Sequence, residues 1–142
     1  MKKTLQQKIF NRLTTKGKKH IAEKTLLKSF KLMQKLERKK NAKEILKLSF
    51  VNASPALYLK QIKRKRKRTI EFPFLLKLNL RLSYGIKFLI ASTKTKTQNS
   101  FYENFTSEIL NSSKKNSLSF KRRFELHKEA FLKKKFANYR WF

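Results

Sequence analysis

The chain has no cysteine and no aspartate, only two glycines and two prolines, and no long uncharged apolar run. Each absence closes a class of function. Without cysteine there is no disulfide scaffold, no thiolate metal site and no cysteine nucleophile. The only acids are eight glutamates, and the two histidines, His20 and His127, stand far apart, so a metal site or a Ser-His-acid triad has almost no material. Gly17 and Gly85 are isolated, which leaves no glycine-rich loop to cradle a phosphate. No stretch approaches the roughly 18 uncharged apolar residues of a membrane-spanning helix. These absences point away from an enzyme, a cofactor, a small-molecule substrate and a membrane.

Positive charge is what the chain has in excess. Its 142 residues carry 38 Lys+Arg against 8 Asp+Glu, a net charge of +30. A free protein so charged repels itself, so its normal state should include a polyanion. The apolar fraction of 39% is thin but above that of disordered chains, and the length suits one domain spanning residues 1–142. Lysine outnumbers arginine 29 to 9, phenylalanine occurs 13 times and valine once. The favoured residues have A/T-rich codons, which fits an organellar genome and also some bacterial and protist nuclear ones.

Along the chain, hydrophobic periodicity dominates. Leu5, Ile9 and Leu13 form one helical stripe with Phe10 beside it, and Gly17 can close that helix with a positive φ. The same basic, acid-free segment could serve as a mitochondrial transit peptide, against which stands the first helix of the domain. A second helix is expected over 18–38 with Ala22, Leu26, Ser29, Met33 and Leu36 facing a core, flanked by Ile21, Phe30 and Leu32. Asn41 can cap a third helix through about Asn52, with Ala42, Ile45, Leu46 and Ser49 inward, and Pro55 stops it. Leu57–Ile62 and Thr69–Leu76 then read as strands around six consecutive cations, a hairpin over about 56–77 with a charged tip. Pro73 fits only an edge strand.

The Lys77–Ser83 stretch alternates like a strand, yet Leu82, Ile86, Leu89 and Ile90 carry helical spacing toward Lys94, and periodicity leaves the boundary open. A fifth helix is expected from Ser100 to about Ser112 with Phe101, Phe105 and Ile109 inward. A last one opens at Ser119 with Phe124, His127, Phe131 and Lys135 on one side. The expected fold is mainly α, six helices interrupted by one hairpin.

Cations gather in three places. Lys16, Lys18 and Lys19 occupy an interhelical loop, and a helix N-terminus beside them adds backbone amides that favour phosphate. Lys60 and then Lys63, Arg64, Lys65, Arg66, Lys67 and Arg68 make a finger. Lys121, Arg122 and Arg123 open the last helix, with Lys133, Lys134 and Lys135 near its end. A polyanion surface explains runs that recur with so little acid between them. No helix presents a clear set of base-reading residues for the DNA major groove. Structured RNA instead asks for shape-matched cations and a few stacking rings, for which Tyr58, Tyr139 and Trp141 are available, though each could equally be packing.

Lys121-Arg122-Arg123, Glu125, His127-Lys128, Ala130 and Phe136-Ala137-Asn138-Tyr139-Arg140-Trp141 resemble the close of the family of small ribosomal subunit protein seven, K-K-R-x-x-x-H-[RK]-x-A…A-F-A-H-Y-R-W. Lys8, Asn11, Gly17-Lys18-Lys19 and Ala22-Glu23 are similar to its K-F-x-N…G-K-K-x-x-A-E segment, and Asn52, Pro55, the hairpin and Pro73 follow in its order. The resemblance implies a six-helix domain with an extended hairpin between the third and fourth helices. It implies a structural protein of the small ribosomal subunit that binds the 3′ major domain of its RNA and nucleates the subunit head. Messenger RNA, exit-site tRNA and neighbouring ribosomal proteins would lie close by.

Carried over, the candidate RNA contacts are Lys16, Lys18, Lys19, Lys60, the 63–68 cations, Lys121, Arg122, Arg123, Tyr139, Arg140 and Trp141. With the codon usage, the resemblance implies a mitochondrial ribosome, with a plastid as the alternative. Because Leu5 to Asn11 matches folded-domain sequence, no cleaved leader is expected. Some family features are replaced. The basic N-terminal extension has no counterpart, lysine and arginine take the place of the glycines of the hairpin tip, Asn138 stands for a histidine and Lys133 for an asparagine. The rival class is a DNA-compacting or RNA-chaperone protein with no fixed ribosomal site.

Overall fold

The computed structural model describes residues 4–38, 41–63, 69–97 and 99–139, without the Tyr139 side chain. Six helices are interrupted by a two-stranded antiparallel hairpin between the third and fourth, the architecture the periodicity predicts.

Helix α1 (Leu5–Leu13) starts at a reciprocal cap: the Gln7 amide donates to Thr4 Oγ1 at 3.4 Å while Thr4 N–H donates to Gln7 Oε1 at 2.9 Å. Its end differs from expectation. Thr14 is extended and its hydroxyl donates to the Phe10 carbonyl at 2.9 Å, so the helix closes well before Gly17. Gly17 (φ +74°) and Lys16 (φ +51°) instead form a tight turn in which Lys18 N–H donates to Thr15 O at 3.1 Å. Two successive positive φ angles are what a type I′ reversal requires.

Helix α2 (Lys19–Leu36) buries Ala22, Leu26, Ser29 and Met33, but Leu36 is 60% exposed. The apolar stripe outruns the packing, because Leu36 is the terminal residue and beside it the Glu37–Lys114 ion pair already faces water. Helix α3 (Ala42–Ala53) buries Ala42, Ile45, Leu46, Ser49 and Phe50. Asn41 precedes it in extended conformation, but its side chain makes no cap bond.

Strands β1 (Leu57–Ile62) and β2 (Ile70–Leu75) pair with Leu57 opposite Leu75 and Ile62 opposite Ile70. Pro73 lies opposite Leu59, tolerated because a two-stranded ribbon leaves each strand one free edge. Helix α4 (Leu78–Lys94) settles the ambiguous stretch: Leu78 and Leu80 are exposed helical residues, so their alternation with polar neighbours is incidental. Gly85 lets α4 approach α3, since a Cβ there would stand 3.2 Å from Ser54 Cβ and 3.3 Å from the Phe50 ring.

Helix α5 (Phe101–Ser113) is capped by Ser100 with Glu103 and packs against α2, α3 and α4. Phe105 and Ile109 join Ile9, Leu26, Met33, Ile45, Leu46, Phe50, Ile86 and Leu89 in one core. Helix α6 (Leu118–Leu132) begins one residue before the expected Ser119, because Ser117 serves as its cap, accepting from Phe120 N–H at 3.1 Å. Ser119 is buried, its hydroxyl 2.8 Å from that of Ser117. A 3₁₀ segment, Lys134–Tyr139, then packs on β2.

Candidate nucleic-acid interface

The three cationic regions of the sequence occupy different parts of this frame. Lys16, Lys18 and Lys19 are exposed on the α1–α2 turn. No side chain caps α2 and no acid stands in its first turn, so its N-terminal amides and dipole favour an anion there. Folding brings two more cations to this turn, neither of which the sequence singled out. Arg12 and Lys94 join Lys18 around a cavity of about 270 Å³ whose apolar wall includes Ile21, Ile90 and Phe101. Lys94 is 76 residues from Lys18 in the chain, so no local pattern could have paired them.

Lys60 and Lys63 are exposed on and just after β1. Arg64, Lys65, Arg66, Lys67 and Arg68 lie outside the described residues, as do Arg140 and Trp141 and the Tyr139 side chain. The hairpin root is held on two sides. Tyr58 of β1 packs on Tyr84 of α4 with ring centroids 4.5 Å apart, which makes Tyr58 an internal contact. Burial and the Tyr58 hydroxyl raise the Tyr84 pKa above the usual phenol value. On the other side Ala56 N–H donates to His127 Nε2 at 3.0 Å. That bond requires a neutral ring protonated on Nδ1. Burial first, then the charges of Arg123 and Arg81, lower the His127 pKa below the ordinary histidine value and keep it so. His127 is therefore a fastener of the hairpin root. Arg81 of α4, also missed in the sequence, faces this root at the opposite end of α4 from Lys94, about 20 Å away along the helix.

On α6, Lys121 is exposed, while Arg122 and Arg123 are half-buried. Arg123 Nη1 donates to the Asn52 carbonyl at 2.8 Å and lies 3.4 Å from that of Val51, satisfying the carbonyl end of α3. Part of this predicted contact is thus spent inside the protein. So is Lys133, which pairs with Glu71 of β2 while Gln61 Nε2 donates to the other Glu71 oxygen at 2.8 Å. Asn52 itself donates to the Ser112 and Ser113 carbonyls at 2.9 and 3.2 Å, locking α3 to the end of α5.

Only three ion pairs form among the described residues, at Lys96–Glu108, Lys114–Glu37 and Lys133–Glu71. Most of the exposed cations therefore have no acidic partner, and the arrangement can neutralise a polyanion without first giving up internal pairs. Among the described residues no three His, Cys, Asp or Glu side chains gather where they could hold a metal ion. No helix there is long and apolar enough to cross a membrane.

Comparison with known proteins agrees with this picture. Residues 1–134 match the family model described as ribosomal protein S7p/S5e. The chain is 30% identical over 134 residues to small ribosomal subunit protein uS7 of Xylella fastidiosa, covering 94% of this chain and 84% of that one. It is 28% identical over 137 residues to the uS7 of Malacoplasma penetrans, covering 96% and 87%. To the uS7 of Mycoplasma mobile it is 28% identical over 134 residues, covering 94% and 85%.

Proposed function

This chain belongs to the ribosomal protein S7p/S5e family, and from that premise we propose how it serves a small ribosomal subunit. The family is one of structural, non-enzymatic proteins, and the chain is a constituent of the small subunit that binds its RNA. The observation that carries this reading is the family match over residues 1–134 of a chain whose exposed Lys16, Lys18, Lys19, Lys60 and Lys63 form no ion pair among the described residues. More finely, residues 1–142 act as one binding unit for the 3′ major, or head, domain of the RNA, and nucleate assembly of the head. The hairpin and the C-terminal segment lie beside the messenger exit channel and the exit-site tRNA. Neighbouring small-subunit proteins complete the setting.

Binding is phosphate neutralisation on a stiff frame. Lys16, Lys18 and Lys19, with Arg12 and Lys94 beside them, engage one stretch of backbone. Lys60 and the 63–68 cations engage a second, and Lys121 and Arg122 a third, with Tyr139, Arg140 and Trp141 adding contacts at the end of the chain. Arg123 contributes by holding α6 on α3. Rigid spacing matters because structured RNA is recognised by shape.

The compartment is a mitochondrial ribosome, with a plastid as the second choice. Codon-driven composition supports this, while the relatives named above are bacterial and speak only for the subunit.

Crosslinking in cells followed by sequencing of the attached RNA tests the reading. Reads concentrated in the head domain of small-subunit RNA are expected, and the RNA's own sequence names the compartment. Reads scattered over many transcripts, or adducts mainly to DNA, would instead support a compaction factor or chaperone and sink the ribosomal site.

A further inference from the structure

The outer face of α6 carries apolar side chains left exposed among the described residues. Phe124 is 65% exposed, Phe131 72% and Leu132 70%. Only Ser119 and Ala130 of this helix are buried, while Arg123 and His127 point toward α3 and the hairpin root. Phe124 and Phe131, seven residues apart, lie almost on one line along the helix, about 10 Å from each other, with Leu132 one step around. Together they would remove on the order of 400 Å² of apolar surface from water if covered. An apolar patch of that size with a polar border marks an interaction site.

The charges around the patch say what covers it. Lys128 stands beside the line of the two phenylalanines, and Glu125 and Glu129 follow along one flank, all three exposed, while Lys121 lies a turn before Phe124 at the cationic start of the helix. Neither glutamate forms an ion pair among the described residues. This face therefore holds two acids against one cation in a chain of net charge +30, unlike the 16–19 turn, where no acid stands in the first turn of α2. A phosphate backbone laid here would meet two carboxylates. A second copy of the chain fits no better, since a two-fold pairing centred on Lys128 sets that charge against itself and brings two strongly basic bodies together.

We propose that this face docks an amphipathic helix of a neighbouring small-subunit protein. The partner presents an apolar seam to Phe124, Phe131 and Leu132, an acid to Lys128, and a cation to Glu125 or Glu129. The proposal rests on the small-subunit reading above and adds to it a protein contact on the side of α6 turned away from α3 and the hairpin.

Zero-length carbodiimide coupling of purified small subunits tests it, because the reagent joins only carboxylates and amines already in contact. Amide crosslinks from Lys128, Glu125 or Glu129 to one helix of a single other ribosomal protein are expected. Phe124→Ser with Phe131→Ser should lower their yield at least about tenfold, while the chain still sediments with the subunit. Four results would overturn the proposal: no interprotein crosslink at this face, links only to a second copy, photo-crosslinks from Phe131 to RNA, or a yield unchanged by the double substitution. If the unaltered chain failed to sediment with small subunits at all, the ribosomal reading itself would fall, and this contact with it.

Discussion

Helices α5 and α6 follow each other, joined by residues 114–117, yet they treat polarity in opposite ways. On α5, Asn104, Thr106, Glu108 and Ser112 are buried beside Phe105 and Ile109. On α6, two phenylalanines and a leucine face outward. The difference lies in neighbours. Helix α5 is packed against α2, α3, α4 and α6, so polar as well as apolar side chains on its packed faces must be accommodated inside. Its polar atoms are accommodated because partners exist: Thr106 donates to Tyr102 O at 2.8 Å, Ser112 to Ser49 O at 2.9 Å, and Asn104 to Lys96 O and Asn99 O, both at 2.9 Å. Glu108 accepts Ser119 N–H at 3.0 Å at the start of α6 and holds Lys96 at 2.9 Å, the latter by charge rather than by a directed hydrogen bond. Burial in this protein follows position in the packing, and polarity is then dealt with locally.

Aromatic truncation breaks or upholds that contrast most sharply. Phe105→Ala should cost about 3–5 kcal/mol through lost burial and a residual cavity. The same change at Phe124 should stay within about 0.5 kcal/mol. Denaturant unfolding of the full chain measures both, and similar losses at the two sites would erase the distinction between the helices. Glu108→Ala comes next. It strands the Ser119 amide and the Lys96 ammonium at once, which should cost about 2–4 kcal/mol by the same measurement. A loss below about 1 kcal/mol would mean that water reaches both groups.

The smallest effect belongs to His127, on the inner side of α6. Removing its acceptor as His127→Ala should cost about 1 kcal/mol. The pH dependence is more specific. Because the native pKa is lowered, the unfolded chain takes up this proton first. The contribution of His127 is therefore full above about pH 6.5 and declines as pH falls from there through the native value. His127→Gln can accept the same N–H without titrating, so unfolding midpoints measured from pH 7.5 to 5 should fall less steeply for it than for the wild type. Identical slopes would remove His127 as the hairpin's fastener.

Much of the fold was legible because its signals are local. The stripes of α2, α3 and α5, the helix opening at Ser100 and the strands around the cationic run all follow from residues a few positions apart. The errors have local explanations as well. Gly17 read as a helix cap because a positive φ suits caps and tight turns alike, and only the Thr14 hydroxyl bond shows which one forms. The leucines of 76–82 alternate like a strand, but β2 ends at Leu75 and α4 starts at Leu78. For the candidate site, the exposed turn lysines were visible as a run. Arg12, Arg81 and Lys94 were not, since each is one cation among many until folding gives it neighbours. Of the C-terminal motif, Lys121 to Ala130 lie within the residues 1–134 matched by the family model and Phe136 to Trp141 beyond them, so the match does not rest on that closing run.

By itself the sequence determined the charge excess, the poverty of catalytic groups, the order of helices and hairpin, and the family. These depend on composition and on spacings within one or two turns, which the backbone imposes wherever the chain folds. Only the tertiary structure decided how the charges are used. Arg123 is committed to carbonyls about 70 residues away, Lys133 to a strand 62 residues back, and Phe124 and Phe131 are left facing outward. Such pairings join distant points of the chain, and packing, rather than periodicity, brings those points together.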